Sequence, residues 1–261
     1  MSDHIQAEQM GAIQLIRINR PEKKNALTSD MYIRLAEAIN AAQANPKIRV
    51  SVITGASDSF SAGNDLGDLA ARGGSKPALL AASKPPFQQF VEALMAADKP
   101  VIAAVNGLAV GIGVTMLLHC DLVYAADTAR FTLPFVNLGI VPEAGSTLLM
   151  PRMMGRVRAN ELLLFGEAFN PQTALEYGLI NRIFPAAELM PNVMRLAEKL
   201  AAKAPGALRA SKQLLRKHTP ELHAVLREES NVIGERVKST ELKEALQAFA
   251  EKRPADFSSF E

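Results

Sequence analysis

The sequence contains a single cysteine, no tryptophan and few aromatic residues, which make up 5% of its 261 residues. One cysteine, Cys120, excludes an intramolecular disulfide framework, and this favours a reducing compartment. Because the neighbours of Cys120 are mostly apolar, we expect a buried structural thiol there. Hydrophobic residues still make up 48% of the chain, so a large core is expected, as in an ordinary soluble globular protein.

The chain also lacks an excess of charge and any long apolar run. Its formal net charge is only +2 at pH 7, which gives no electrostatic argument for a nucleic-acid or membrane partner. No stretch reaches the roughly 18 apolar residues that cross a bilayer. The first ten residues hold no apolar segment after a basic region, so a signal peptide is not expected. We therefore expect a cytoplasmic protein, or an organelle-matrix protein if the source is eukaryotic.

The most informative stretch runs from residue 100 to residue 145. Its run of small and β-branched residues, Val101 to Val105, predicts a buried strand. Gly111 and Gly113 then introduce an apolar helical segment, and N–H groups at a helix start have no partner within the helix. A lone carboxylate, Glu143, closes the stretch. Free N–H groups beside one carboxylate predict proton transfer next to a stabilised oxyanion.

The residues before this stretch alternate between strand and helix signals. Residues 13–18 and 50–54 show patterns typical of strands. Between them, Thr28 and Ser29 are candidate N-caps of a helix that ends at Asn45. A strand, a short crossover helix and a second strand predict parallel pairing. The fold class is therefore α/β.

The later segments are predicted to be mainly helical. Helices are predicted over residues 87–97, 155–165 (with Leu162, Leu163 and Leu164 buried) and 171–177, and a strand over residues 179–184. From residue 186 onward we expect amphipathic helices, with breaks at Pro205, Pro220 and Gly234.

Two composition changes suggest how the chain is organised. Residues 71–86 are rich in Gly, Ser, Ala and Pro and are predicted to be mobile. The helical composition of the last part suggests a soft boundary near residue 200. We therefore predict a core over residues 1–199 and a C-terminal helical oligomerisation region over residues 200–261.

Two glycine-containing turns each follow a predicted strand, FSAGND at residues 60–65 and GLAVGIG at residues 107–113. If the two strands are neighbours, the N–H groups of Ala62 and Ile112 point at one shared oxygen and stabilise an oxyanion there. The alternative is two ordinary β-to-α turns that need glycine for tight packing. Neither turn matches a phosphate-binding or dinucleotide-binding pattern.

The runs FSAGNDL, AAVNGLAVGIG and LPFVNLGIVPEAGS resemble motifs of the crotonase (enoyl-CoA hydratase/isomerase) superfamily, and the likeness extends from about residue 12 to the C-terminus. The resemblance implies a crotonase-like ββα spiral core with a C-terminal helical trimerisation region. It implies an acyl-CoA thioester substrate, a homotrimer or a dimer of trimers, and no cofactor beyond the CoA moiety of the substrate. It also implies that the N–H groups of Ala62 and Ile112 form the oxyanion hole for the thioester carbonyl.

The carboxylates distinguish the reactions of this superfamily. Its hydratases typically carry two glutamates, at positions where this chain has Thr115 and Phe135. Glu143 instead resembles the base of the peroxisomal-type Δ3,Δ2-enoyl-CoA isomerases, which implies that Glu143 moves a proton from the second to the fourth acyl carbon. We expect the apolar neighbours Leu138 and Ile140 to raise the pKa of Glu143.

Other interpretations stay open beside the isomerase. Glu143 could serve an enoyl-CoA hydratase in a different geometry, or it could be a solvated loop acid. The chain could also be a non-catalytic acyl-CoA-binding or RNA-associated relative, although a base retained at position 143 argues against that.

The resemblance also implies contacts with CoA, each with a purely structural role as the alternative. The positions are Lys24 and Ala26 in a CoA-contacting loop, Asn64, Asp65 and Leu66 in an adenine-side turn, and Lys252 near the C-terminus. Asp65 is equally a candidate cap for the helix that follows it.

Four further expectations concern a histidine, metal binding, a basic helix face and the acyl pocket. His119 lies in an apolar run and is predicted to be packed rather than catalytic. No spacing of Cys, His or acidic residues suggests a metal site. The basic helix face of Arg209, Lys212, Arg216 and Lys217 is predicted to face solvent or another subunit, and the acyl-pocket wall is predicted over residues 68–94, with Phe87, Phe90 and Leu94.

Overall fold

The computed structural model describes residues 4–68, 84–217 and 221–260, and a six-stranded sheet lies at its centre. The strands of the described chain are β1 (Ile5–Met10), β2 (Ile13–Ile18), β3 (Val50–Gly55), β4 (Ser59–Ser61), β5 (Val101–Val105), β6 (Leu108–Val110), β7 (Leu122–Ala126), β8 (Arg130–Thr132) and β9 (Arg182–Phe184). The larger sheet has the order β1-β2-β3-β5-β7-β9, in which β1 is antiparallel to β2 and the other pairs are parallel. Strands β4, β6 and β8 form a smaller parallel sheet.

Helices surround the two sheets. They are α1 (Ser29–Ala44), α2 (Pro86–Ala96), α3 (Ile112–Thr115), α4 (Ser146–Met154), α5 (Arg156–Asn160), α6 (Pro171–Glu176), α7 (Leu189–Ala201), α8 (Pro205–Arg216), α9 (Leu222–Arg236) and α10 (Thr240–Glu251). Short 3-10 turns lie at Pro21–Lys23, Met116–His119, Val136–Leu138 and Ala186–Glu188, and a π-helical turn lies at Glu161–Phe165. Within the described ranges, no helix combines the length and apolar content that a membrane span requires.

The strands predicted near residues 13–18, 50–54 and 101–105 are confirmed as β2, β3 and β5. Strands β2 and β3 pair in parallel as predicted, with Leu15 opposite Val52, and β5 pairs in parallel with β3, with Ile102 opposite Val52. Every residue of β3 and β5 is buried because helices cover both faces of the sheet. Helix α7 covers one face with Leu189 and Val193, which pack in the same apolar cluster as Val52 and Ile102.

Helix α1 begins where the sequence places it. The Thr28 side chain accepts a hydrogen bond from the Met31 N–H, and the helix ends before Asn45. It packs against α2, where the Tyr32 ring lies 5.7 Å from the Phe87 ring and 5.8 Å from the Phe90 ring. The predicted helix over residues 87–97 is thereby confirmed as α2. Of the segment predicted to be mobile, residues 71–83 lie outside the described residues.

Three predictions about the later segments were wrong in detail. Leu162 and Leu163 are buried, but Leu164 is 61% exposed, because successive side chains of a helix point roughly 100° apart and three in a row cannot share one core. Gly234 does not break α9, which continues to Arg236. The predicted strand at 179–184 is shortened to β9, and the break predicted at Pro220 lies outside the described residues.

The basic face of α8 does not lie wholly in solvent, which corrects the expectation for Lys212 and Arg216. Lys212 is only 6% exposed, and its Nζ donates to Asp121 and to the Lys99 carbonyl, both at 2.7 Å. Arg216 also donates to Asp121, and to the His119 carbonyl at 2.9 Å. Buried ammonium groups require such partners, so these contacts attach α8 to the starts of β5 and β7. The division at residue 200 stays a prediction.

Candidate active site

Two glycine-containing turns meet at the end of the smaller sheet. Strand β4 pairs in parallel with β6, so the residues that follow each strand lie side by side. The fit is close: a Cβ on Gly63 would lie 2.9 Å from the Val110 carbonyl oxygen, and a Cβ on Gly113 would lie 2.6 Å from the Ser61 carbonyl oxygen. Glycine is therefore required at both positions for the turns to approach each other.

The N–H group of Ala62 is already used within the protein. It donates to the Lys24 carbonyl oxygen at 2.9 Å, so the geometry does not support Ala62 as an oxyanion-hole donor. The next residue, Gly63, has a φ of +90°, and the N–H of Asn64 after it has no backbone acceptor among the described residues. The N–H of Ile112, at the first position of α3, likewise has none in the described ranges. Within these two turns of the described chain, the N–H groups of Asn64 and Ile112 have no backbone acceptor and are candidates to bind a ligand oxygen.

The predicted CoA-contacting loop and adenine-side turn are brought together. Leu27 forms a parallel bridge with Asn64, which aligns the loop that contains Lys24 and Ala26 with the turn. Arg20 joins the same two segments, since its Nη1 donates to the Ala26 carbonyl at 3.0 Å and to Asp65 Oδ2 at 2.7 Å.

The individual positions in this turn have structural partners of their own. Asp65 caps the following turn by accepting from the Asp68 N–H at 3.0 Å, as the alternative interpretation predicted. Leu66, the next residue, is partly exposed. Hydrogen bonds from Asp68 and Arg20 outweigh burial and lower the pKa of Asp65. Lys252 stands apart: it ends α10, and no hydrogen bond or ion pair of the described chain joins it to Lys24 or Asn64.

Glu143 lies in a tight turn directly before α4. The residue is 6% exposed, so the interpretation as a solvated loop acid is wrong. Ala144 and Gly145 follow with φ values of +60° and +72°, and the Ser146 N–H donates back to the Glu143 carbonyl. A positive φ is unfavourable for alanine, so other contacts must hold this turn.

Those contacts come from two distant side chains. His119 Nε2 lies 2.7 Å from the Ala144 carbonyl oxygen. Glu229, on α9, accepts from the Gly145 N–H at 2.7 Å and from the N–H and hydroxyl of Thr147. Sequence reasoning missed Glu229, because nothing in an amphipathic helix marks one buried acid among several exposed ones.

Two titratable groups beside this turn are uncharged at neutral pH. Burial lowers the pKa of His119 to about 4, although its hydrogen bond to Ala144 opposes this. Burial raises the pKa of the Cys120 thiol to about 12. The burial of His119 agrees with its predicted packing role, whereas Cys120 is half-buried and not fully buried as predicted.

The two positions where hydratases of the superfamily carry glutamates are apolar or neutral and buried. Thr115 is fully buried within α3, and its Oγ1 has no hydrogen-bond partner in the described parts of the chain. The Phe135 ring lies 3.9 Å from the place of a Cβ on Gly111 and so packs against the glycine turn. Ser146 Oγ, beside the Glu143 turn, is a second buried hydroxyl without a partner among the described residues.

Comparison with known proteins identifies the family. The family model described as enoyl-CoA hydratase/isomerase matches residues 8–259. The chain belongs to this family. It is 38% identical to enoyl-CoA delta isomerase 2 of Rattus norvegicus over 245 residues, which cover 94% of this chain and 62% of the rat protein. It is 37% identical to 2,3-dehydroadipyl-CoA hydratase of Escherichia coli, with 98% of this chain and 99% of that protein covered.

Solved structures give the same result for the fold. An enoyl-CoA hydratase/isomerase from Pseudoalteromonas atlantica superimposes with a TM-score of 0.90 and 36% identity, covering 98% of this chain and 100% of that one. The expectation of a crotonase-like core is thereby confirmed. The relatives include both isomerases and hydratases, so membership of the enoyl-CoA hydratase/isomerase family does not by itself specify the reaction.

In this member of the family a cavity of about 730 Å³ lies beside His119 and Leu222, which contact the Glu143 turn, and it is also lined by charged residues such as Glu92 and Arg227. Its apolar wall includes Met95, Leu118, Leu149 and Leu226, and His119 joins this wall to the turn. Helix α2 lines this cavity through Gln88, Glu92, Met95 and Ala96, while Phe90 and Leu94 are fully buried in the core. The acyl-pocket wall over residues 68–94 stays a prediction. Residues 69–83 of that wall lie outside the described residues.

Proposed function

We propose that the protein is an enoyl-CoA isomerase that moves a double bond from the third to the second carbon of a fatty acyl-CoA. The observation that carries the proposal is the buried carboxylate of Glu143 in a site where the two positions that hold glutamates in hydratases are Thr115 and Phe135. Hydration requires groups that position and activate water, whereas a double-bond shift requires one base that gives and returns a proton.

In the proposed reaction the Glu143 carboxylate takes a proton from the second acyl carbon. The electron pair of that C–H bond forms a double bond between the first and second carbons, and the carbonyl π pair moves to the thioester oxygen, which carries the negative charge of the dienolate. The π pair between the third and fourth carbons then takes the proton of the Glu143 carboxyl at the fourth carbon. At the same time the pair between the first and second carbons shifts to join the second and third carbons, and the thioester carbonyl reforms. No atom is gained or lost, and the carboxylate is restored.

The dienolate oxygen needs donors that are in place before the reaction. We propose that the N–H groups of Asn64 and Ile112 donate to it, with Asn64 replacing Ala62. Removing one such donor from an oxyanion site typically costs 10²–10³ in rate. An isoleucine at position 112 is compatible with this role, because only its backbone N–H would donate to the oxygen.

The substrate would extend in two directions from the thioester oxygen between Asn64 and Ile112. We propose that the loop of Lys24 and Ala26 and the turn of Asn64, Asp65 and Leu66 contact the CoA moiety. The fatty acyl chain would occupy the cavity of about 730 Å³ beyond His119. Lys252 would meet a CoA phosphate, and no cofactor beyond the CoA moiety would be needed.

We also propose that the protein is a homotrimer or a dimer of trimers. Exposed apolar side chains support association. They are Val157, Leu164 and Phe165 around the π-helical turn, and Leu214 and Leu215 on α8. Burying such surface between subunits is favourable.

A hydratase is the second candidate, and one comparison favours it. The 2,3-dehydroadipyl-CoA hydratase is matched over nearly its whole length, whereas the rat isomerase is matched over 62%. The buried hydroxyls of Thr115 and Ser146 could also hold a water molecule near Glu143. A non-catalytic acyl-CoA-binding protein is the third candidate.

The deciding experiment supplies a 3-enoyl-CoA and a 2-enoyl-CoA separately to the protein and to its Glu143→Gln variant. We expect the 3-enoyl substrate to isomerise without a change in mass. The variant should lose about 10²–10⁴ in rate, since it removes the only base. Glu167→Gln, a change at an exposed acid, is the matched control and should keep full activity.

Three other outcomes would each replace the proposal. Gain of one water from the 2-enoyl substrate, lost in the Glu143→Gln variant, would establish a hydratase. Full activity in that variant would make Glu143 structural. Binding of both thioesters without turnover would indicate a binding protein.

A further inference from the structure

The turn that carries Glu143 is held in an unfavourable conformation by residues far away in the sequence. Ala144 and Gly145 both have positive φ, and α4 begins immediately afterwards without a side-chain cap of its own. The first N–H groups of a helix need acceptors from elsewhere. In most helices a nearby Ser, Thr, Asp or Asn supplies one. Here the acceptor is a carboxylate from α9.

Glu229 binds the end of the turn and the first residues of α4 with its two oxygens. Oε2 accepts from the Gly145 N–H at 2.7 Å, and Oε1 accepts from the Thr147 N–H at 3.1 Å and the Thr147 hydroxyl at 2.5 Å. The residue is 6% exposed, so these bonds compete little with water. Negative charge at a helix N-terminus is also favourable. Burial outweighs these hydrogen bonds and raises the pKa of Glu229.

The opposite side of the turn is closed by other groups. His119 Nε2 donates to the Ala144 carbonyl at 2.7 Å, the direction of this bond following from the carbonyl, which only accepts. Leu222 of α9 packs so closely on Gly145 that a Cβ there would overlap it. On one side of the turn, His119 therefore holds the Ala144 carbonyl. On the other side, Glu229 holds the Gly145 N–H.

We propose that Glu229 is a positioning residue that fixes the Ala144–Gly145 turn and thereby holds the Glu143 carboxyl in its reactive place. The proposal rests on the proposed function, because it assigns Glu229 a role through Glu143. It gives Glu229 a part in the reaction without contact with the reacting carbon atoms. The helix thus completes the site that the earlier part of the chain begins.

The test uses Glu229→Gln, which keeps the size of the side chain but replaces one acceptor oxygen with a donor group. That amide cannot accept from both Gly145 and Thr147. Glu228→Gln is the matched control, since Glu228 is the neighbouring acid on α9 and is exposed. Thr147→Val removes only the hydroxyl bond to Glu229. It serves as a milder second variant if Glu229→Gln does not fold.

Two measurements are made on each variant. Amide hydrogen exchange over residues 144–148 should become on the order of tenfold faster in Glu229→Gln, and less so in Thr147→Val, with no change in Glu228→Gln. The kcat for the 3-enoyl-CoA should fall on the order of tenfold to a hundredfold while KM stays within about threefold, because a misplaced base affects the transition state more than substrate binding.

The two proposals fail in different ways. If Glu143→Gln abolishes turnover but Glu229→Gln and Thr147→Val match the control in exchange and in kcat, the positioning role is overturned and the proposed function stands. If Glu143→Gln keeps full activity, the proposed function fails, whatever the exchange shows. In the Glu143→Gln background, Glu229→Gln should cause no further loss of rate. A further loss there would show that Glu229 acts by another route and would overturn the inference.

Discussion

The two halves of the candidate site are built in different ways. On the oxyanion side, the N–H groups of Asn64 and Ile112 are set by backbone alone, in two turns that follow paired strands. On the base side, Glu143 sits in a turn that is held by the side chains of His119 and Glu229, which come from two other segments. The first half depends on glycine at close contacts, and the second depends on buried polar groups.

This difference indicates which changes each half tolerates. Backbone donors carry no titratable group, so the oxyanion side should respond to shape and not to pH. Buried polar side chains need their partners and their charge state, so the base side should respond to pH and to single substitutions in remote helices. The predictions below separate the two responses.

The largest expected effect concerns His119 on the base side. Its pKa of about 4 in the folded protein lies below the ordinary value of about 6.5, so the unfolded chain takes up the proton first. Stability should therefore fall as the pH drops from about 6.5 to about 4, by about 3 kcal/mol for this group. His119→Gln, which keeps a donor but does not titrate, should remove that part of the pH dependence.

Denaturant unfolding at pH 7 and pH 4 measures this for both proteins. The His119→Gln variant should lose less stability between the two pH values than the unchanged protein. Equal losses in the two proteins would mean that His119 is not the neutral, buried group described above.

The next effect concerns Gly113 on the oxyanion side. Gly113→Ala places a Cβ 2.6 Å from the Ser61 carbonyl and must push the two turns apart. We expect a loss of about 1–3 kcal/mol in unfolding free energy and a fall in kcat, with the pH profile unchanged. Gly234→Ala is the control, because a Cβ there meets nothing within 4 Å and alanine is favoured in a helix. A Gly113→Ala protein with full stability and activity would show that the turns need not touch.

Local patterns in the sequence predicted the framework of the site. Strands β2, β3 and β5 are short, apolar and buried, and the cap at Thr28 is a contact between near neighbours, so both leave a clear signal. Strand β1 gave no clear signal in the sequence, because it is an edge strand with Ile5 as its one buried residue. The presence of Gly234 did not predict the end of α9, because the helix tolerates a glycine that has space around it.

The contacts that complete the site could not be predicted in this way. The positive φ of Gly63 determines which N–H after β4 points outward. For this reason the candidate donor is Asn64 and not Ala62. The bond from Gly145 to Glu229 joins residues 84 positions apart. Neither a backbone angle nor a contact at such separation has a periodic signature in one sequence.

The smallest expected effect tests whether the oxyanion side acts through backbone alone. The Ile112 side chain is fully buried in the main apolar cluster. Ile112→Val removes one methylene and should cost about 0.5–1.5 kcal/mol of unfolding free energy. It keeps the peptide group in place, so kcat and KM for the 3-enoyl-CoA should stay within about twofold. Thermal unfolding and steady-state kinetics on the same preparation measure both quantities. A large fall in kcat with unchanged stability would place the Ile112 side chain against the substrate. Both halves of the site would then depend on side chains, and the difference between them would disappear.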